Sequence, residues 1–95
     1  MDAFTRLILE AEQAHFSGWD FSFLKDRLVS ETPPWDYRRI ITGAMTDANS
    51  LLDMGTGGGE FLATLLPLPP HTCATEAYPP NIPLARRRLE PLGVR

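Results

Sequence analysis

Alternating glycines and a pair of acids carry most of the chemistry this chain offers. Gly55, Gly57 and Gly59 follow Asp53 in the stretch Leu51-Leu52-Asp53-Met54-Gly55-Thr56-Gly57-Gly58-Gly59-Glu60, and Glu76 lies 17 residues beyond Gly59. A residue without a Cβ adopts positive φ freely and lets the backbone approach a ligand closely. An apolar run ending in an acid, then a tight glycine loop, then a helical pattern reads as strand, turn and helix start. Backbone N–H groups in the first turn of that helix have no partner inside it. Ligands of open α/β sheets bind at the carboxyl ends of the strands, so the loop reads as one wall of a small-molecule site. Glu76 closes a second, weaker strand over residues 71–76. A carboxylate there accepts both hydroxyl hydrogen bonds of a ribose diol.

Dinucleotides and S-adenosylmethionine both fit a glycine loop with a ribose carboxylate. A nicotinamide or flavin dinucleotide needs its pyrophosphate held at a helix N-terminus, with glycines spaced G-x-G-x-x-G. Glu60 occupies the place of the third glycine in that spacing, and Asp53 adds a further negative charge. S-adenosylmethionine has no phosphate. Its sulfonium and ammonium groups are favoured by nearby acids, so the acid-rich surround points to this ligand.

The elements that must position these residues follow from hydrophobic spacing. Phe4, Leu7, Ile8, Ala11 and His15 predict an amphipathic helix over residues 2–15. Phe16, Trp19, Phe21 and Phe23 crowd around Gly18 and read as core, with a flap over a ligand as the alternative. A short helix is predicted around Leu24, Leu28 and Val29. Pro33-Pro34 opens a helix over 34–48, with Tyr37, Ile40, Ile41, Ala44, Met45 and Ala48 on one stripe. Residues 51–54 read as a buried parallel strand. A helix over 60–66 puts Phe61, Leu62, Leu65 and Leu66 inward and stops at Pro67, Pro69 and Pro70. The last helix, 80–92, has Ile82, Ala85, Leu89 and Leu92 inside and Arg86, Arg87 and Arg88 largely outside. Gly93 ends it, and Val94-Arg95 reads as the first step of another strand.

With 95 residues the chain is one small domain at most. A content of 43% hydrophobic and 22% charged residues is that of a globular rather than a disordered chain. The net charge of -3 does not indicate a general nucleic-acid-binding surface. Cys73 is the sole cysteine, which excludes an intrachain disulfide and a cysteine-rich metal site. No long apolar run suggests a signal peptide or a membrane span, so a soluble, cytoplasmic protein without a metal is expected.

The stretch Leu52-Asp53-Met54-Gly55-Thr56-Gly57-Gly58-Gly59 resembles motif I of the class I S-adenosylmethionine-dependent methyltransferases, an acid-x-Gly-x-Gly-x-Gly pattern. Glu76 is similar to that family's ribose-binding acid at the end of its second strand. The resemblance covers about residues 50–92 and implies S-adenosyl-L-methionine as cofactor. It implies Asp53, Gly55, Thr56, Gly57, Gly59 and Glu76 as binding residues, with Ala77 and Tyr78 on the adenine side. It implies an α/β, Rossmann-like fold, of which 50–95 is the first part and 1–49 a helical cap region. The family's fold needs about twice this length or more. The chain is therefore expected to be an inactive N-terminal part, ending after the second strand and its helix. No catalytic residue or methyl acceptor is implied; Asp36, Tyr37 and His15 are merely polar groups on the expected site side. The competing functions are a NAD(P)-dependent oxidoreductase module and a non-enzymatic remnant that self-associates through the unpaired edge of its first strand.

Overall fold

The computed structural model describes residues 1–18 and 20–95. Helix α1 spans Ala3–Gln13, helix α2 Tyr37–Met45, strand β1 Ser50–Met54, strand β2 His71–Thr75 and helix α3 Ile82–Leu89. The architecture is mixed α/β, with β1 and β2 paired in parallel as a two-stranded sheet in which Asp53 lies opposite Ala74.

The core is small and lies on one side of the molecule. Met45, Leu62, Leu65, Ala85, Leu89 and Val94 are buried together, with Ile41, Leu51 and Ala74 packed against them. Short apolar stretches that meet across the sheet produce this cluster: α2 brings Met45, the segment after the glycine loop brings Leu62 and Leu65, and α3 brings Ala85 and Leu89. Gly93, at φ 80°, turns the chain back from α3, as a helix-ending glycine does. Val94-Arg95 then runs along the outer edge of β2. The Arg95 N–H donates to the Thr72 carbonyl at 3.1 Å, and the Ala74 N–H donates to the Arg95 carbonyl at 2.8 Å. Bonds that bracket Cys73 in this way are the parallel pattern, so the expected strand step is present.

Several expectations need correction. The helix expected over 60–66 is a single 3₁₀ turn, Leu62–Thr64. Three consecutive glycines before it and Pro67 after it leave too few residues to nucleate an α-helix. Leu62 and Leu65 are buried as expected, whereas Phe61 and Leu66 are exposed. The helix expected from Pro34 starts at Tyr37, because Asp36 accepts from the Arg39 N–H at 3.2 Å and fixes the N-terminus there. The stripe of that helix is only partly covered, with Met45 buried and Tyr37 and Ile40 exposed. β1 is not a buried parallel strand: Leu52 and Met54 are 56% and 78% exposed, because nothing covers their face or pairs with that edge among the described residues.

The N-terminal region departs furthest. Asp2 caps α1 through the Thr5 N–H at 2.7 Å, yet the helix buries no residue, and Phe4, Leu7 and Ile8 face outward. Phe16, Phe21 and Phe23 do not enter the core; their rings pack on one another, with Phe16 5.4 Å from each of the other two, and all three remain exposed. Trp19 lies outside the described residues. The short helix expected near Leu24 is one 3₁₀ turn, Ser22–Leu24. These unburied segments lengthen the molecule: its radius of gyration is 17.4 Å. A compact domain of this length has a radius of about 12 Å.

Candidate functional site

The glycine loop leaves β1 and folds back over the end of β2. The Gly55 N–H donates to Thr75 Oγ1 at 3.2 Å, and the Thr56 N–H donates to the Thr75 carbonyl at 2.8 Å. The loop thus continues the ladder for one residue and then turns. Gly55, Gly57 and Gly59 take φ of 74°, 67° and 79°. Each lies in the left-handed region that favours glycine, which accounts for the alternation. Gly59 has a second reason to lack a side chain. A Cβ there would come within 2.7 Å of Leu89 Cγ on α3.

Glu76 stands beside this loop. The Tyr78 N–H donates to Glu76 Oε1 at 3.0 Å. That bond is the main reason the Glu76 carboxyl titrates below the usual glutamate range; partial desolvation opposes it, and the amides of Gly57 and Ala77 and the side chain of Asn81 add smaller lowering effects. The loop's bonds to Thr75 place it against the end of β2, directly beside Glu76. Loop and acid, distant in the chain, share one corner.

Thr56, Thr75 and Glu76 border a cavity of about 480 Å³ whose far wall is Ile82, Arg86 and Arg95. Ala77 and Tyr78 are exposed, Tyr78 by half, and do not line this cavity. Asp53 is placed elsewhere. It is half-buried on β1 and lines a separate groove of about 400 Å³ with Tyr37, Ile41 and Phe61. The Thr56 N–H and carbonyl are engaged by Thr75 and Gly59, and its Oγ1 is buried without a hydrogen-bond partner. His15 and Asp36 are exposed and border neither cavity. Among the described residues no group of His, Cys, Asp or Glu is arranged to hold a metal ion, and no helix is long and apolar enough to cross a membrane.

The chain matches no family model, no curated protein and no solved structure. Its site is therefore defined by geometry alone.

Sequence reasoning did not single out Arg88 and Asn81. Arg88 is not merely part of a solvated arginine face. Its guanidinium donates to the Gly58 carbonyl and pairs with Glu60 Oε1 at 3.1 Å, so α3 grips the glycine loop by one charged side chain. Position was the available signal: Arg88 lies next to Leu89, which packs against Gly59. Asn81, between Tyr78 and α3, is buried at 2% exposure. Its Nδ2 has no hydrogen-bond partner. Nothing in the residue pattern marked it.

Proposed function

We propose that residues 50–95 are the beginning of a Rossmann-like cofactor domain of a class I S-adenosylmethionine-dependent methyltransferase, with residues 1–49 as its variable cap region. The observation that carries this reading is the corner where the glycine loop, bonded through the Gly55 and Thr56 N–H groups to Thr75, meets the end of β2 and shares a cavity with Glu76. Such a corner suits an adenosyl ligand. Glu76 accepts from the ribose hydroxyls, the backbone at Gly55 and Gly57 lies along the chain of the ligand, and Ala77 and Tyr78 border the base. Methyl transfer is an in-line displacement at a sulfonium methyl, in which the protein's main task is positioning. The residues named here bind and orient the cofactor, and the single Cys73 suits a reducing cytoplasm.

A dinucleotide is the second reading, because Arg88 neutralises part of the charge on Glu60 that would repel a pyrophosphate. Against it, the glycine loop leads into one 3₁₀ turn, not into an α-helix whose N-terminus would bind phosphate. S-adenosylmethionine makes no such demand.

Binding of S-adenosylmethionine to two variants tests the proposal. Glu76→Ala should weaken binding by roughly tenfold to a hundredfold, the scale of a lost hydrogen bond to a charged group. Gly57→Val should abolish binding, because a β-branched residue resists positive φ and fills the space beside the ligand. Wild-type affinity in both variants would remove loop and acid from any cofactor site.

A further inference from the structure

Asp53 is the acid that the cavity beside Glu76 leaves out. Its backbone is held in the sheet opposite Ala74, and its half-buried side chain lines the groove of about 400 Å³ between α2 and β1. The carboxylate has neither a hydrogen bond nor an ion pair with another described residue. Around it the groove is apolar: Ile41 and Met45 come from α2, and Leu62 from the 3₁₀ turn after the glycine loop. Tyr37 and Phe61 line it too, with ring centroids 5.6 Å apart and planes 21° from parallel. No lysine, arginine or histidine lines it among the described residues. Arg38 is near but engaged. Its guanidinium carbon sits 5.3 Å from the Phe61 centroid, and its Nη1 donates to the Thr64 carbonyl at 3.1 Å.

Those lining groups select for charge as well as for size. A groove of this volume is on the scale of a small-molecule site. Its apolar wall favours any apolar body. A carboxylate partly withdrawn from water, with no cation to pair with, favours a positive head and repels a negative one. Aromatic rings act with the same sign, since their faces attract cations, and Phe61 already holds Arg38 in this way. We propose that this groove is a binding site for a small organic monocation, an ammonium head on a hydrocarbon arm, in which Asp53 pairs with the head and the apolar wall takes the arm. The site is independent of the cofactor reading, because the groove and the cavity that Glu76 borders share no lining residue. It also parts from the methyltransferase resemblance, which gives Asp53 to the cofactor.

The test titrates the full 95-residue chain with n-hexylammonium chloride, followed by backbone amide NMR shifts. Two probes with the same arm accompany it, neutral n-hexanol and anionic n-hexanoate. Saturable hexylammonium shifts should centre on α2 and β1, with hexanol binding about tenfold more weakly or worse and hexanoate without effect. Asp53→Asn, which keeps the size and removes the charge, should lower hexylammonium to the level of hexanol. Equal affinity for hexylammonium and hexanol, or hexylammonium binding that Asp53→Asn leaves intact, overturns the proposal. The three-probe comparison on the wild-type chain decides it even where the variant fails to fold. Saturation with S-adenosylmethionine should leave the hexylammonium shifts in place. Displacement by S-adenosylmethionine overturns a separate amine site and returns Asp53 to the cofactor. Hexylammonium binding in a chain that does not bind S-adenosylmethionine upholds the groove and overturns the cofactor reading instead.

Discussion

The two edges of the small sheet are built to different standards. Along β2, Val94-Arg95 adds parallel hydrogen bonds, α3 buries Ala85 and Leu89, and Arg88 reaches across to the glycine loop. Along β1, the outer edge is unpaired among the described residues and Leu52 and Met54 face solvent. The strands are equally short and β1 is the more apolar, so the hydrophobicity of the strand does not explain the contrast. What differs is the supply of covering residues. α3 follows β2 directly and lies against the loop, whereas β1 meets only the buried end of α2 and one 3₁₀ turn. An order-giving contact on the closed side therefore matters more than the hydrophobicity of the strand beneath it.

The largest effect should come from the tightest point of the closed side. Gly59→Ala must both hold a positive φ and displace Leu89. Backbone strain and overpacking together should cost about 3–5 kcal/mol, enough to remove a cooperative melt from a marginally stable chain. Leu89→Ala should cost about 3 kcal/mol by leaving a cavity in the core. On the open side, Leu52→Lys should change stability by no more than about 0.5 kcal/mol. Sedimentation of the same variant sharpens the contrast. An exposed apolar edge strand recruits further strands, and the wild-type chain should self-associate where Leu52→Lys stays monomeric. Urea melts of the three variants check the order, and equal losses at Leu89 and Leu52 would erase the distinction between the edges.

A smaller effect is expected at Arg88. Its pair with Glu60 is largely solvent-exposed, so Arg88→Ala should cost about 1 kcal/mol or less, measured in the same melts. The effect on the loop should exceed the effect on the fold, with faster amide exchange at Gly58 and Gly59.

The smallest effect concerns pH. The folded-state carboxyl of Glu76 titrates below its ordinary value, chiefly because the Tyr78 amide donates to it. A group depressed in this way stabilises the fold fully above the ordinary glutamate range and loses that contribution as pH falls through its lowered value. Melting temperatures of wild type and Glu76→Gln should therefore differ at neutral pH and converge in acid. A difference that grows on acidification would contradict the assignment.

The closed side was legible in the residues. The strands expected over 51–54 and 71–76 lie within one residue of the observed Ser50–Met54 and His71–Thr75, and the stripe Ala85-Leu89 and the turn at Gly93 also follow from period and glycine placement. The alternation of glycines at 55, 57 and 59 likewise announced positive φ. The open side and the N-terminal region were not legible, for a physical reason. An amphipathic stripe such as Phe4-Leu7-Ile8 shows that a helix has an apolar face but not that anything lies against it. The same holds for Phe16, Phe21 and Phe23, which satisfy one another's rings outside the core. At the site, pattern placed Glu76 beside the loop but grouped Asp53 with it, whereas these acids line different cavities. Strand alternation turns Asp53 with Leu51 toward the α2 side, a register detail that a motif does not encode.

The central claim is that the corner between the glycine loop and Glu76 receives an adenosyl sulfonium and not a dinucleotide. Calorimetric titration of the 95-residue chain with S-adenosylmethionine, and separately with NAD, tests it directly. Saturable heat with S-adenosylmethionine, lost in Gly57→Val, and none with NAD is the predicted result. Binding of NAD without S-adenosylmethionine, or S-adenosylmethionine heat that Gly57→Val leaves intact, would contradict it.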